Sequence, residues 1–107
     1  MQAGLRVPID ETQTEITAPH ERLTRLTYAW VVNNTGGDVY LSVWSGTGTA
    51  RTAAERVAGP WLVPDGSAKP VLFEMQSNAR AVIAAHTAAD LTGAPASVVD
   101  FVPVWSA

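Results

Sequence analysis

The sequence predicts an all-β protein, an antiparallel β-sandwich or small barrel of about six to eight strands with an extended N-terminal arm. Three observations lead there. Several segments alternate apolar and polar residues with a period of two. Clusters of Gly, Pro, Asn and Asp punctuate them at short intervals. No alternation of strands with long amphipathic helices is visible, as a parallel α/β sheet would require. The chain has 107 residues, of which 47% are hydrophobic and 16% charged. That is enough apolar surface to close one core, and too little charge for disorder.

The elements follow in chain order. Residues 1–21 are polar and extended in character, broken by Pro8 and Pro19, with isolated apolar residues at Leu5, Val7, Ile9 and Ile16. Such spacing buries little, so this segment is expected to be an arm that orders on a partner, with the sandwich domain spanning 22–107. Within the arm, residues 13–17 alternate weakly around Ile16. Residues 22–32 then form a strand, with Leu26, Tyr28, Trp30 and Val32 on one face and Arg25, Thr27, Ala29 and Val31 on the other. Asn33-Asn34-Thr35-Gly36-Gly37-Asp38 is a turn, and residues 39–45 alternate again. These two strands are expected to pair as a hairpin.

Small residues make a loop over 46–54, with a helical turn near 52–56. Gly59-Pro60 breaks the strand over 57–63 and assigns it to an edge. Pro64-Asp65-Gly66 is a turn, followed by a strand over 71–76. Residues 79–91 are rich in alanine, and Ser77 or Asn78 before them and Gly93 beyond suit a helix. The stripe of Val82, Ile83, His86 and Ala89 is thin, however, so a strand over 80–87 is preferred. After a loop, residues 97–105 form a strongly apolar strand, and Pro103 places it at an edge or an end.

Composition excludes several functions. Without cysteine there is neither a disulfide nor a thiolate metal site. The net charge is −3 and the six arginines are scattered, so no basic stripe exists for nucleic acid. No apolar run reaches the ~20 residues of a spanning helix, and the N-terminus has no signal-peptide core, so no membrane partner is expected.

Chemistry-bearing patterns are sparse. His20 and His86 stand far apart and no metal-ligand spacing connects them to carboxylates. Ser77, His86 and Asp90 supply the residue types of a catalytic triad without a nucleophile elbow. Gly46-Thr47-Gly48 lacks the further glycine or the Lys-Ser/Thr of a phosphate-binding loop. Asn33-Asn34-Thr35 matches an N-glycosylation sequon, read here as a turn. No catalytic residue, metal or cofactor is therefore assigned, and an enzyme is not expected.

Tyr40 and Trp44 share one face of their strand about 13 Å apart. They could stack on sugar rings, or they could be core or subunit interface. Trp105 joins them as a candidate interface residue. Both faces of the Tyr40/Trp44 strand are apolar, as are both faces of residues 98–105. One thin sandwich has only two inner faces, so the surplus points to self-association.

Residues 26–39, Leu26-Thr27-Tyr28-Ala29-Trp30-Val31-Val32-Asn33-Asn34-Thr35-Gly36-Gly37-Asp38-Val39, with Pro60-Trp61-Leu62-Val63-Pro64-Asp65-Gly66, resemble the small β-sandwich accessory proteins of tailed bacteriophages. They are similar in style to decoration or minor capsid proteins from phages of high-GC actinobacteria. The resemblance implies a virion protein assembled in the host cytoplasm. Its partners would be the major capsid protein and itself, often as a trimer with an N-terminal arm. It carries over no functional residue. A carbohydrate-binding sandwich of an adhesin is the alternative.

Overall fold

The structure, a computed structural model, describes residues 2–20, 22–76 and 79–107. Two antiparallel sheets pack face to face, as the sequence predicts. The first sheet contains β1 (Gln2–Ala3), β2 (Val7–Ile9), β4 (Arg25–Val32), β7 (Ala68–Gln76) and β9 (Val99–Ser106). Its order is β1-β9-β4-β7, with β2 beside β1 on the same edge of β9. The second sheet contains β3 (Thr14–Thr17), β5 (Val39–Ser45), β6 (Ala58–Val63) and β8 (Arg80–His86), in the order β3-β8-β5-β6. One 3₁₀ turn, Ala53–Glu55, lies between β5 and β6, where a helical turn was expected. Among the described residues, no helix is long and apolar enough to cross a membrane.

The expected hairpin of 22–32 with 39–45 does not form. β4 lies in one sheet and β5 in the other, so the turn between them arches across the core. Asn33 explains the arch. Its side chain is fully buried, and Nδ2 donates to the carbonyls of Gly37 and Val63, both at 2.9 Å. Oδ1 accepts the backbone N–H of Thr35 at 3.1 Å and its hydroxyl at 2.7 Å. The Asn33 backbone also pairs with the next turn, donating to Ser67 O and accepting from Gly66 N. Two turns thirty residues apart are thus pinned at one end of the sandwich. Leu41 and Val43 then face Ala29 and Val31 across the core instead of beside them in one sheet. The same burial removes Asn33 as a glycan acceptor.

β4 corrects a second expectation. Its pairing with both neighbours shifts register between Leu26 and Tyr28: Thr27 is an extra residue against β9, whereas against β7 the extra residue lies on β7. A bulge reverses which residues face inward beyond it. Leu26, Ala29 and Val31 are fully buried, whereas Tyr28 and Val32 are only partly buried and Trp30 is 48% exposed. The aromatic residues assigned to one face with Leu26 therefore point outward.

The N-terminal residues are not a separate arm. β1 and β2 pair with β9, β3 pairs with β8, and Ile9, Ile16 and Ala18 belong to the core cluster. Few apolar residues suffice because strand pairing satisfies the backbone while each of them reaches the core. Gln13 and Glu15 add side-chain contacts. Gln13 exchanges hydrogen bonds with both backbone groups of Arg51, and Glu15 accepts the N–H of Gly48 at 2.8 Å.

β9 is an interior strand despite Pro103. Gly4 N–H donates to Pro103 O at 2.8 Å, so Pro103 turns its backbone groups toward the N-terminal segment. Its missing N–H therefore falls where that segment leaves the sheet between β1 and β2, and no bond to β4 is lost. β6 is the edge strand that Gly59-Pro60 foretells. A Cβ on Gly59 would stand 2.4 Å from Leu41 O, at φ +87°, so only glycine fits this bulge.

Candidate functional site

The outer face of the second sheet carries the residues that the sequence singles out. Register places Trp44 beside Val82, Ser42 beside Ala84, and Tyr40 beside His86. Two loops, 46–57 and 87–98, close over it. The Trp44 indole N–H donates to Thr52 O at 2.9 Å. Arg56 joins the loops, its Nη1 donating to Ser42 Oγ at 3.1 Å and to Ala89 O at 2.7 Å. Trp44 is fully buried and forms a second small core with Val82, Ala84 and Leu91. It cannot stack on a sugar or meet a partner. Tyr40 keeps partial exposure at the margin.

Trp105 is likewise fully buried, in the main core opposite Leu26. Its indole N–H is buried without a hydrogen-bond partner. A Cβ on Gly4 would stand 3.3 Å from that nitrogen and 3.0 Å from Pro103 Cγ, so the bare backbone of Gly4 covers the ring. Of the three candidates Tyr40, Trp44 and Trp105, two are core residues and none forms an exposed platform.

The remaining candidates serve the loops. His86 is 7% exposed, and its Nδ1 is buried without a partner. Burial lowers its pKa most, opposed by Glu11 and Asp90 and reinforced by Arg56. Asp90 accepts the Thr92 hydroxyl at 2.5 Å, which holds its own pKa below the usual range. His86 and Asp90 thus feel each other's charge without the hydrogen bond a triad needs, and Ser77 lies outside the described residues. His20 is exposed, and its Nδ1 accepts the Arg22 N–H. Among the described residues, no three His, Asp or Glu side chains gather into a metal site. The Gly46-Thr47-Gly48 loop wraps the Arg51 guanidinium, which donates to the carbonyls of Ser45, Thr47 and Gly48. Its carbonyls point at a cation, the opposite of a phosphate cradle.

Among the described residues, two surface clefts can be named. One, of about 290 Å³, is lined by Trp61, Leu62, Lys69, Pro70 and Val71. The other, of about 280 Å³, lies where β2 and β3 approach and is lined by Leu5, Val7, Glu15, Ile16 and Pro103 among others. Each presents one ionisable side chain, too few for paired acid–base chemistry.

An apolar surface that none of these contacts explains is the outer face of the first sheet. Trp30 sits between Val102 on β9 and Pro70 on β7. Tyr28 lies beside Val104, and Val32 lies between Asp100 and Ala68. Asp100 is neutralised by Arg6 at 2.7 Å. Among the described residues, no second core forms on this face, in contrast to the loop-covered face behind it. Sequence reasoning missed it because alternation without the bulge turns Trp30 inward. The surplus apolar residues of the C-terminal strand, Val102 and Val104, were its one legible signal.

No family model matches the chain, and neither a curated protein nor a solved structure matches it significantly.

Proposed function

We propose that this protein is a non-enzymatic structural component of a virion, which self-associates and binds the outer lattice of a bacteriophage capsid. Its partner there is the major capsid protein. The observation that carries the reading is the uncovered apolar face around Trp30, on a sandwich whose polar side chains are largely engaged in pinning its own turns and loops. Such a surface suits assembly rather than turnover of a small substrate. The resemblance of residues 26–39 and 60–66 to phage decoration proteins supports the capsid as the place of assembly, and a β-sandwich is the fold that resemblance implies. The carbohydrate-binding alternative depended on Tyr40 and Trp44 as an open platform, and loses its support with Trp44 sealed.

The test is co-sedimentation with shells assembled from the major capsid protein encoded nearest its gene. Saturable binding at a fixed copy number per capsomer is expected. Shells that pellet without it, across physiological salt, would end the proposal.

A further inference from the structure

We infer that the outer face of the first sheet is the surface by which two copies of this chain pair, about a two-fold axis. This inference rests on the self-association half of the proposed function and not on the capsid.

Among the described side chains, the face is apolar and poor in charge. Trp30, Tyr28, Val32, Val102 and Pro70 make its centre, and among the described side chains its charged groups are the Arg6–Asp100 pair and Arg25 at the rim. Pairing it with itself leaves no bare charge in the middle of the contact. A sugar or nucleotide would need hydrogen-bonding side chains directly beside Trp30, and its two direct cross-strand neighbours are Val102 and Pro70, while the nearby Asp100 is held by Arg6. Shape points the same way. Sheets of equal right-handed twist stack at about −30°, as the halves of a sandwich do, and a copy of this sheet has the matching twist by identity.

Size is sufficient for a reversible pair. Four strands at about 4.8 Å and the eight residues of β4 at about 3.3 Å give a footprint of roughly 500 Å² per copy. Two copies cover about 1,000 Å², below the ~1,200 Å² of stable interfaces and in the range of weak, reversible ones. The edges offer no rival route. β2, β6 and β7 each carry a proline, at Pro8, Pro60 and Pro70, and the other edge strands, β1 and β3, span two and four residues. Proline and short length both oppose strand addition. A trimer would need two different complementary patches on each chain. The other sheet's face is already occupied by loops 46–57 and 87–98, so a two-fold pair replaces the trimer expected from the sequence.

Sedimentation velocity from about 1 to 200 µM, with circular dichroism as the control for folding, tests this. The wild type should pass from monomer to dimer across that range. Trp30→Glu and Val102→Glu, each bringing two carboxylates together near the axis, should weaken association at least about 30-fold with an unchanged spectrum. Val57→Glu, on a 51% exposed apolar residue of the loop over the other sheet, should leave it unchanged. If Trp30→Glu fails to fold, Val102→Glu and the milder Trp30→Ser carry the test. A wild type monomeric throughout, a trimer, or a dimer indifferent to both face variants would overturn the pairing. A monomeric wild type that binds capsid shells would sink this inference alone. A face-dependent dimer that ignores the shells would sink the capsid reading alone.

Discussion

At the scale of single residues, the fold depends most on polar atoms that are buried and paired. Asn33 has both ends of its amide engaged, and its donors bind the carbonyl of Val63 and that of Gly37, which the Thr35 hydroxyl also reaches. Asn33→Ala should therefore cost about 2–3 kcal/mol in urea denaturation, since it removes the side-chain donor from the buried Val63 carbonyl as well as losing the other bonds. Asn33→Asp keeps the shape but faces Gly37 O and Val63 O with acceptors, and should cost at least as much at pH 7. A stability unchanged in both variants would show that the arch is held by core packing alone. Trp44 and Trp105 illustrate the converse. An aromatic residue on an alternating strand looks the same in sequence whether it meets solvent, a partner or a loop of its own chain.

At the scale of elements, the N-terminal segment is the clearest revision. Its polarity suggested an arm, yet it supplies β1 and β2 to one sheet, β3 to the other, and Ile9 and Ile16 to the core between them. Ile9→Ala should cost about 2–4 kcal/mol, because a fully buried isoleucine leaves a cavity. Deleting residues 1–18 should unfold the domain or lower its Tm by well over 10 °C, as thermal denaturation will read. A truncated protein melting within a few degrees of the intact one would restore the arm. β8 was ambiguous for a physical reason. Ala81, Ile83 and Ala85 face the main core while Val82 and Ala84 face the core under the loops, so burial on both sides erases the period of two.

At the scale of the whole molecule, pH acts on stability through His86. Its folded pKa lies below the 6.5 of an exposed histidine, with burial as the main cause. The unfolded chain then binds the proton more readily. Stability from this group is present above pH 6.5 and is lost as the pH falls from there through the folded value. The Tm should decline over that window in wild type and flatten in His86→Phe. Glu55 and Asp90, whose pKa values are also lowered, act in a more acidic window below their ordinary values of 4.5 and 3.8. An equal slope between pH 6.5 and 5 in both proteins would remove His86 as the cause. Acid should loosen the loops first, because His86 sits beside Tyr40 at the margin of the face they cover.

Local pattern by itself determined that this chain is β, where most strands and turns fall, that it has no cysteine chemistry, and that it holds more apolar strand surface than one thin sandwich needs. Those features are written in neighbouring residues, and period-two alternation and turn chemistry require nothing else. Which strands pair, which face of β4 turns inward, and which surplus face stays open were decided only by the tertiary structure. An alternating strand, a glycine turn and a second strand describe a hairpin and an arch equally well. The choice rests on Asn33 reaching Val63 and Ser67, thirty or more positions away. The outward turn of Trp30 rests on one extra residue at Thr27, which alternation cannot reveal because the bulge is defined by the register of the partner strand β9. Contacts distant in sequence set the register, and register sets which side chains meet water.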